Sequence, residues 1–156
     1  MNLKAQEIEI TLSKKEIVKK VSLQVKENEF VGLLGPNGSG KTTLLKSIYR
    51  VLKPSGGVVL LDGQDMSKMN YKETARRLGV VSQFTNMSFD FSVEEVVLMG
   101  RSPHKKALSS DTEEDYRLVE EALRRVDMLS FRERSFQTLS GGEKQRIHLA
   151  RTLSQK

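Results

Sequence analysis

Nine consecutive residues, Gly35, Pro36, Asn37, Gly38, Ser39, Gly40, Lys41, Thr42 and Thr43, combine glycines, one lysine and hydroxyls in an order that suits phosphate. Glycine lets successive backbone N–H groups curl around anionic oxygens, a lysine in that position reaches the outer phosphates, and the hydroxyl after it suits Mg2+. The setting matters as much as the composition. EFVGLLG (29–35) is a short apolar run that reads as a strand buried on both faces. A helix is expected from about Lys41 to Leu52, closed by Pro54, Gly56 and Gly57. A helix N-terminus directly behind the loop adds roughly half a positive charge facing the same point. The bland alternative, a glycine turn with a chance lysine, does not account for the strand, loop and helix in that order.

A second candidate lies at Leu139–Glu143, LSGGE. Ser140 and Glu143 have the spacing of a capping box and could simply start a helix. Gly141 and Gly142 fit that reading poorly, because each glycine in a helix costs up to about 1 kcal/mol relative to alanine. Bare backbone at a helix start admits an anion closely, so a phosphate-facing end is the competing reading, and the five residues alone leave both open. Gln83 ends an apolar run, GVVSQ, and carries little by itself. His104, in a basic loop, and His148, on the last helix, are expected to be surface or packing residues.

The elements that must hold these residues divide into a sheet-rich first part and a helical second part. LKAQEIEITL (3–12) and VSLQV (21–25) alternate as half-buried strands do, and VVLLDGQDM (58–66) adds a strand with an Asp62-Gly63 turn. YKETARR is expected to be a short helix before the strand that ends at Gln83. Three further helices follow, at 92–100, 111–128 and 142–153. In the middle one Tyr116, Val119, Leu123 and Val126 share a face. The expected boundary gives 1–86 as a β-rich phosphate-loop core and 87–156 as a helical part. The chain has 156 residues, 37% hydrophobic and 29% charged, which suits a globular protein of about one domain. Its net charge of +6 comes from scattered Lys and Arg and does not call for nucleic acid. With no cysteine there is no disulfide, thiolate metal site or cysteine nucleophile. No stretch approaches the 18 or so apolar residues of a spanning helix, and no secretory leader is evident at the N-terminus.

Taken together, a glycine phosphate loop followed about a hundred residues later by LSGGEKQRIHLARTL resembles the ATP-binding cassette (ABC) ATPases, over nearly the whole chain. The resemblance implies an α/β fold of the phosphate-loop NTPase type, with its central sheet incomplete and a helical subdomain. It implies ATP and Mg2+ as cofactors. Residues Gly35 to Thr43 would hold the phosphates, with Thr42 and Gln83 on the metal side and Gln83 also positioning the attacking water. In that family two ATP-binding subunits sandwich each nucleotide, so Ser140, Gly141, Gly142 and Glu143 would face the nucleotide held by a second subunit. The segment VVLMGRSPHKKALSSDTEEDYRLVEEALRRVDM narrows the likeness to importers of iron-siderophores, haem or cobalamin. A transmembrane permease would then dock near Phe84 to Ser92, and the chain would lie in the cytoplasm on the inner membrane face through that partner.

The chain departs from the family pattern at Leu12, where an aromatic residue often stacks on adenine, and at Asn28, where glycine is common. It also stops at Lys156, before the family's Asp–Glu pair that holds Mg2+ and polarises water. On that reading the chain is expected to bind ATP weakly at best and not to hydrolyse it, since phosphoryl transfer depends on positioning. It is also expected to associate through unpaired strand edges. Two other classes remain in view: a soluble ABC ATPase acting on DNA or ribosomes, and a non-catalytic truncated interaction module.

Overall fold

The computed structural model describes residues 1–82, 89–106 and 109–155. It separates into two compact units, Met1–Asn70 and Tyr71–Lys156. The boundary expected at 86/87 falls on residues outside the described ones.

The first unit is built on β1 (Leu3–Leu12), β2 (Lys15–Val25), β3 (Gly56–Leu61) and β4 (Gln64–Asp65), in the order β2-β1-β3-β4 with every pair antiparallel. β1 is central, and its buried residues change parity along the strand: Leu3 and Ala5, then Ile8 and Ile10. Strict alternation would put Ile8 and Ile10 on the wrong face. An irregularity between Ala5 and Ile8, with Glu7 at φ +49°, resets the register. Ser22 holds it there, its hydroxyl accepting from the Glu7 amide at 2.9 Å and donating to the Glu7 carboxylate at 3.0 Å. The extra residue lets both halves of β1 face the same apolar layer. Against β1 and β2 packs α1 (Lys41–Ile48), burying Leu44 and Ile48. The helix is shorter than the stretch to Leu52 that the sequence suggested. Its chain turns at Arg50 (φ +65°), and the amides of Val51 and Leu52 close on the Lys46 carbonyl at 2.8 and 3.0 Å.

The strand expected at 29–35 is not formed. Phe30 and Leu34 are 98% and 96% exposed, and Val31 is exposed too. An apolar run becomes a buried strand only where neighbours take up its backbone hydrogen bonds, and among the described residues none pairs with it. In the second unit, Val80 and Val81 of the run expected to end as a strand at Gln83 are likewise exposed and outside any strand.

The second unit packs α2 (Tyr71–Arg77), α3 (Val93–Leu98), α4 (Glu113–Arg125) and α5 (Gly141–Leu153), with short 3-10 turns between them. Its core joins Val93, Val96 and Val97 of α3 to Val119, Ala122 and Leu123 of α4 and to Ile147 and Ala150 of α5. α4 starts on a capping box in which the Thr112 hydroxyl accepts from the Asp115 amide and the Asp115 carboxylate accepts from the Thr112 amide. Acidic residues fill its first turn and Arg124 and Arg125 its last, as the helix dipole favours. Of the face expected from periodicity, Val119, Leu123 and Val126 are buried, but Tyr116 is exposed. Asp115 is buried in its place because Arg101 Nε donates to it at 2.9 Å.

Burial alone would raise the Asp115 carboxyl. Hydrogen bonds from Arg101 and from the Thr112 amide and hydroxyl outweigh it, lowering the carboxyl from its ordinary 3.8 to about 2. A folded value below the unfolded one means that the associated stability is present above about pH 4 and fades as the pH falls toward about 2. Urea unfolding measured from about pH 5 down to 2 is expected to decline through this window. Asp115→Asn should lower stability at neutral pH by about 3 kcal/mol, by removing the carboxylate that offsets the buried Arg101 charge, and flatten that acid limb.

Candidate functional site

In the first unit the chain turns just after β2, with Asn28 at φ +61° and the Glu29 amide donating to the Lys26 carbonyl at 3.2 Å, and turns again past Gly35, with the Ser39 amide donating to the Pro36 carbonyl at 3.3 Å. Gly40 is the residue before α1 and holds a left-handed conformation at φ +89°. A Cβ there would lie 3.1 Å from the Ile17 carbonyl oxygen and 3.4 Å from the Ile17 and Val18 side chains, so only glycine lets the loop seat on β2 in this conformation without strain. The helix starts at once behind it, Leu44 donating to the Gly40 carbonyl at 2.8 Å.

Lys41 is folded back into the loop. Its ammonium donates to the Gly35 and Pro36 carbonyls, both at 2.7 Å, and to the Ser39 hydroxyl at 3.4 Å. All three partners are neutral oxygens. The start of α1 differs from the other helix starts in the same respect. α2, α3, α4 and α5 each carry an acid in the first turn, whereas α1 has none and Gly40 supplies no side-chain cap. The positive end of α1 and the lysine charge thus converge on the loop without an acid from the helix to neutralise them. Asn37 and Thr42 are exposed and Thr43 is half-buried in the first helical turn.

Beside the loop opens a cleft of about 400 Å3, whose side walls are Ile17, Val21, Leu33, Leu34 and Leu44 and whose polar floor is Gly35, Ser39, Gly40 and Lys41. An apolar wall next to a cationic loop can take up a ligand with a flat organic part and an anionic tail. Ile17 and Val21 were not among the residues singled out by the sequence. As alternating strand residues they carry no mark of lining a site until the loop is placed against them.

In the second unit the start of α5 satisfies the structural reading of LSGGE. The Ser140 hydroxyl accepts from the Glu143 amide at 3.4 Å and the Glu143 carboxylate accepts from the Ser140 amide at 2.7 Å. Hydrogen bonding to its carboxylate, from the Ser140 side chain first and the Ser140 amide second, holds the Glu143 carboxyl below the usual range. The glycines remain unexplained by packing, since nothing lies within 4 Å of where a Cβ on Gly141 or Gly142 would stand. At this end the capping box is formed and the space beside both glycines is open.

Gln83 and Phe84 to Ser88 lie outside the described residues. Of the expected docking segment, Phe89 is exposed and meets Phe91 edge-on at 6.1 Å, Asp90 accepts from the Ser135 hydroxyl, and Ser92 caps α3. His148 packs edge-on against Phe136 at 5.4 Å, and its imidazole is held below its ordinary value by burial and then by Arg151. His104 Nε2 lies 2.7 Å from the Gln155 carbonyl. Among the described residues no cluster of three His, Cys, Asp or Glu could hold a metal ion, and no helix is long and apolar enough to cross a membrane. The buried Arg101 went unnoticed in the sequence, where its only signals are a lone arginine after an apolar helix and an acid at the third position of the next one.

Residues 18–156 match the ABC transporter family. The hemin import ATP-binding protein of Pseudomonas entomophila is 45% identical over 90% of this chain and 53% of its own length. The corresponding protein of Pseudomonas fluorescens strain Pf0-1 is 43% identical over 98% of this chain and 58% of its own. The cobalamin import ATP-binding protein of Halobacterium salinarum is 37% identical over 99% of this chain and 38% of its own. The chain thus spans roughly half the length, or less, of these curated relatives. Among solved structures, cbiO1 of Clostridium perfringens, part of the ABC transporter complex cbiONQ, superposes with a TM-score of 0.80 at 28% identity over 98% of this chain and 61% of that one. The ADP conformation of an ATP-binding cassette superposes at 0.83 with 24% identity, over 99% of this chain and 65% of that one, a likeness of fold.

Because neither glycine at the start of α5 is demanded by packing, Gly141→Ala and Gly142→Ala are each expected to stabilise the chain by up to about 1 kcal/mol in thermal unfolding. A loss of stability in both would show that glycine there serves the fold.

Proposed function

Because the chain belongs to the ABC transporter family, we propose that it is the ATP-binding part of the motor subunit of an importer, taking up a metal chelate such as an iron-siderophore, haem or cobalamin. The observation that carries the nucleotide reading is the start of α1, where an acid-free helix end and the Lys41 ammonium face the same glycine loop. The relatives named for hemin and cobalamin import support the solute class.

On this reading the amides of Gly35 to Thr43 receive the phosphates, and Lys41 exchanges the Gly35 and Pro36 carbonyls for phosphate oxygens. That exchange is favourable because the ammonium then meets a full opposite charge in place of a carbonyl dipole. The aliphatic walls contributed by Ile17 and Val21 take up the base without charge. The exposed Thr42 hydroxyl is a hard oxygen donor of the kind Mg2+ accepts, most of the remaining ligands coming from phosphates and water, as is usual for this ion. When bound, that ion neutralises charge on the phosphates. Gln83 is assigned to the metal and the attacking water. Ser140, Gly141, Gly142 and Glu143 are assigned to the nucleotide of a second ATP-binding subunit, and a transmembrane permease holds the pair on the cytoplasmic face of the membrane. ATP hydrolysis belongs to the assembled motor.

Titration of the chain with a fluorescent ATP analogue and Mg2+ tests the central assignment. Saturable binding is expected, weakened about 10- to 100-fold by Lys41→Ala, which removes a charge-assisted bond to phosphate. Binding that is unaffected by that substitution, or absent from the parent chain, would overturn the reading.

A further inference from the structure

A polar network holds the end of α5 opposite to Ser140. Arg101 lies in the 3-10 segment Met99–His104 and is 6% exposed. Its Nε donates to Asp115 Oδ1 on α4 at 2.9 Å, and its Nη1 donates to the Ser154 carbonyl, just past α5, at 2.7 Å. Ser154 is itself buried and donates from Oγ to the Val97 carbonyl of α3 at 2.9 Å. The segment comes so close that a Cβ on Gly100 would stand 2.1 Å from the Arg151 carbonyl oxygen. Three helices therefore meet around one guanidinium.

Along its length α5 meets α3 and α4 through apolar contact, made by Ile147 and Ala150 against their valines and leucines. Just past its end Gln155 donates to the Ala75 carbonyl at 2.5 Å, and its own carbonyl lies 2.7 Å from His104 Nε2, so these bonds tie the chain end to α2 and to the 3-10 segment, not to α4. Apolar contact is non-directional, and packed helices can settle one turn apart at modest cost. A guanidinium has donors in fixed directions, so the bonds to Asp115 and to the Ser154 carbonyl are satisfied together in one register only. Buried ion pairs contribute little net stability compared with an apolar pair of similar volume; their best-attested use is to select register. α5 is 13 residues long, which puts its glycine end about 20 Å from this network.

We propose that Arg101, paired with Asp115 and bonded to Ser154, is a positioning residue that fixes the register and direction of α5, and hence where Ser140, Gly141 and Gly142 face. Its consequence for nucleotide rests on the phosphate role given to that end above. The anchoring itself rests only on the contacts within the second unit.

The absence of cysteine lets spin labels go only where they are placed. One label at Glu113→Cys, at the start of α4, and one at Gln145→Cys, on the exposed side of α5, report the position of one helix against the other by their distance distribution. The parent should give a single narrow distance. R101M/D115N removes the ion pair without leaving a buried charge unmatched and keeps an acceptor oxygen for the Thr112 cap of α4. It is expected to melt close to the parent yet to show a broadened distance or a second population about 5 Å away, one helical turn. A narrow, parent-like distance in this variant would overturn the proposal and leave Arg101 a merely stabilising residue. Should the double variant fail to fold, Arg101→Lys gives the same readout: it keeps the charge but not the fork, and a parent-like narrow distance in it would equally overturn the proposal. No nucleotide enters the measurement, so a failure of ATP binding would count against the functional reading alone.

Discussion

The nucleotide site proposed for this chain depends on one conformational constraint, the left-handed backbone of Gly40 pressed against the Ile17 carbonyl. It joins the glycine loop to β2 with no side chain between them and sets α1 off behind the loop. A side chain there would carry the left-handed strain and meet backbone that cannot swing aside. With the loop seated, the first turn of α1 and the Lys41 ammonium point their positive charge at the same small space. The helix keeps that charge available by having no acid in its first turn, which α3, α4 and α5 all have.

The two candidate ends are consequently not equivalent. At α1 the charged side chain drawn into the loop is the Lys41 ammonium, and it meets neutral oxygens there, so an anion gains by entering. At α5 the Glu143 carboxylate already accepts from Ser140, and the end is part-neutralised by its own helix. A site of this second kind works best when the rest of a nucleotide is held elsewhere and only part of the phosphate is presented to it. The glycines, with open space around them, permit such an approach, and the buried Arg101 network holds the opposite end of the same helix.

How much of this was legible in the sequence follows from what each signal measures. The phosphate loop was legible because glycine, lysine and threonine at those places report backbone and charge demands that are local. β1 was legible as a strand, but the bulge at Glu7 was not, because it is set by pairing with β2 and held by Ser22, fifteen residues away. The run 29–35 was misjudged because apolarity measures a wish for burial and says nothing about whether a partner strand is at hand. The exposed Phe30 and Leu34 are the result. Tyr116 is exposed and Asp115 buried for a similar reason: helical periodicity ranks side chains by polarity, whereas an arginine fourteen residues earlier makes the polar one worth burying. Local chemistry was thus readable, and long-range pairing was not.

The most direct test of the central claim is an amide NMR spectrum of the chain followed as ATP and Mg2+ are added. The account predicts saturable shifts concentrated in the amides of Gly35 to Thr43 and in the cleft residues Ile17 and Val21. Shifts that grow without saturation, or that spread over the surface lysines while the Gly38, Gly40 and Lys41 amides stay in place, would contradict it.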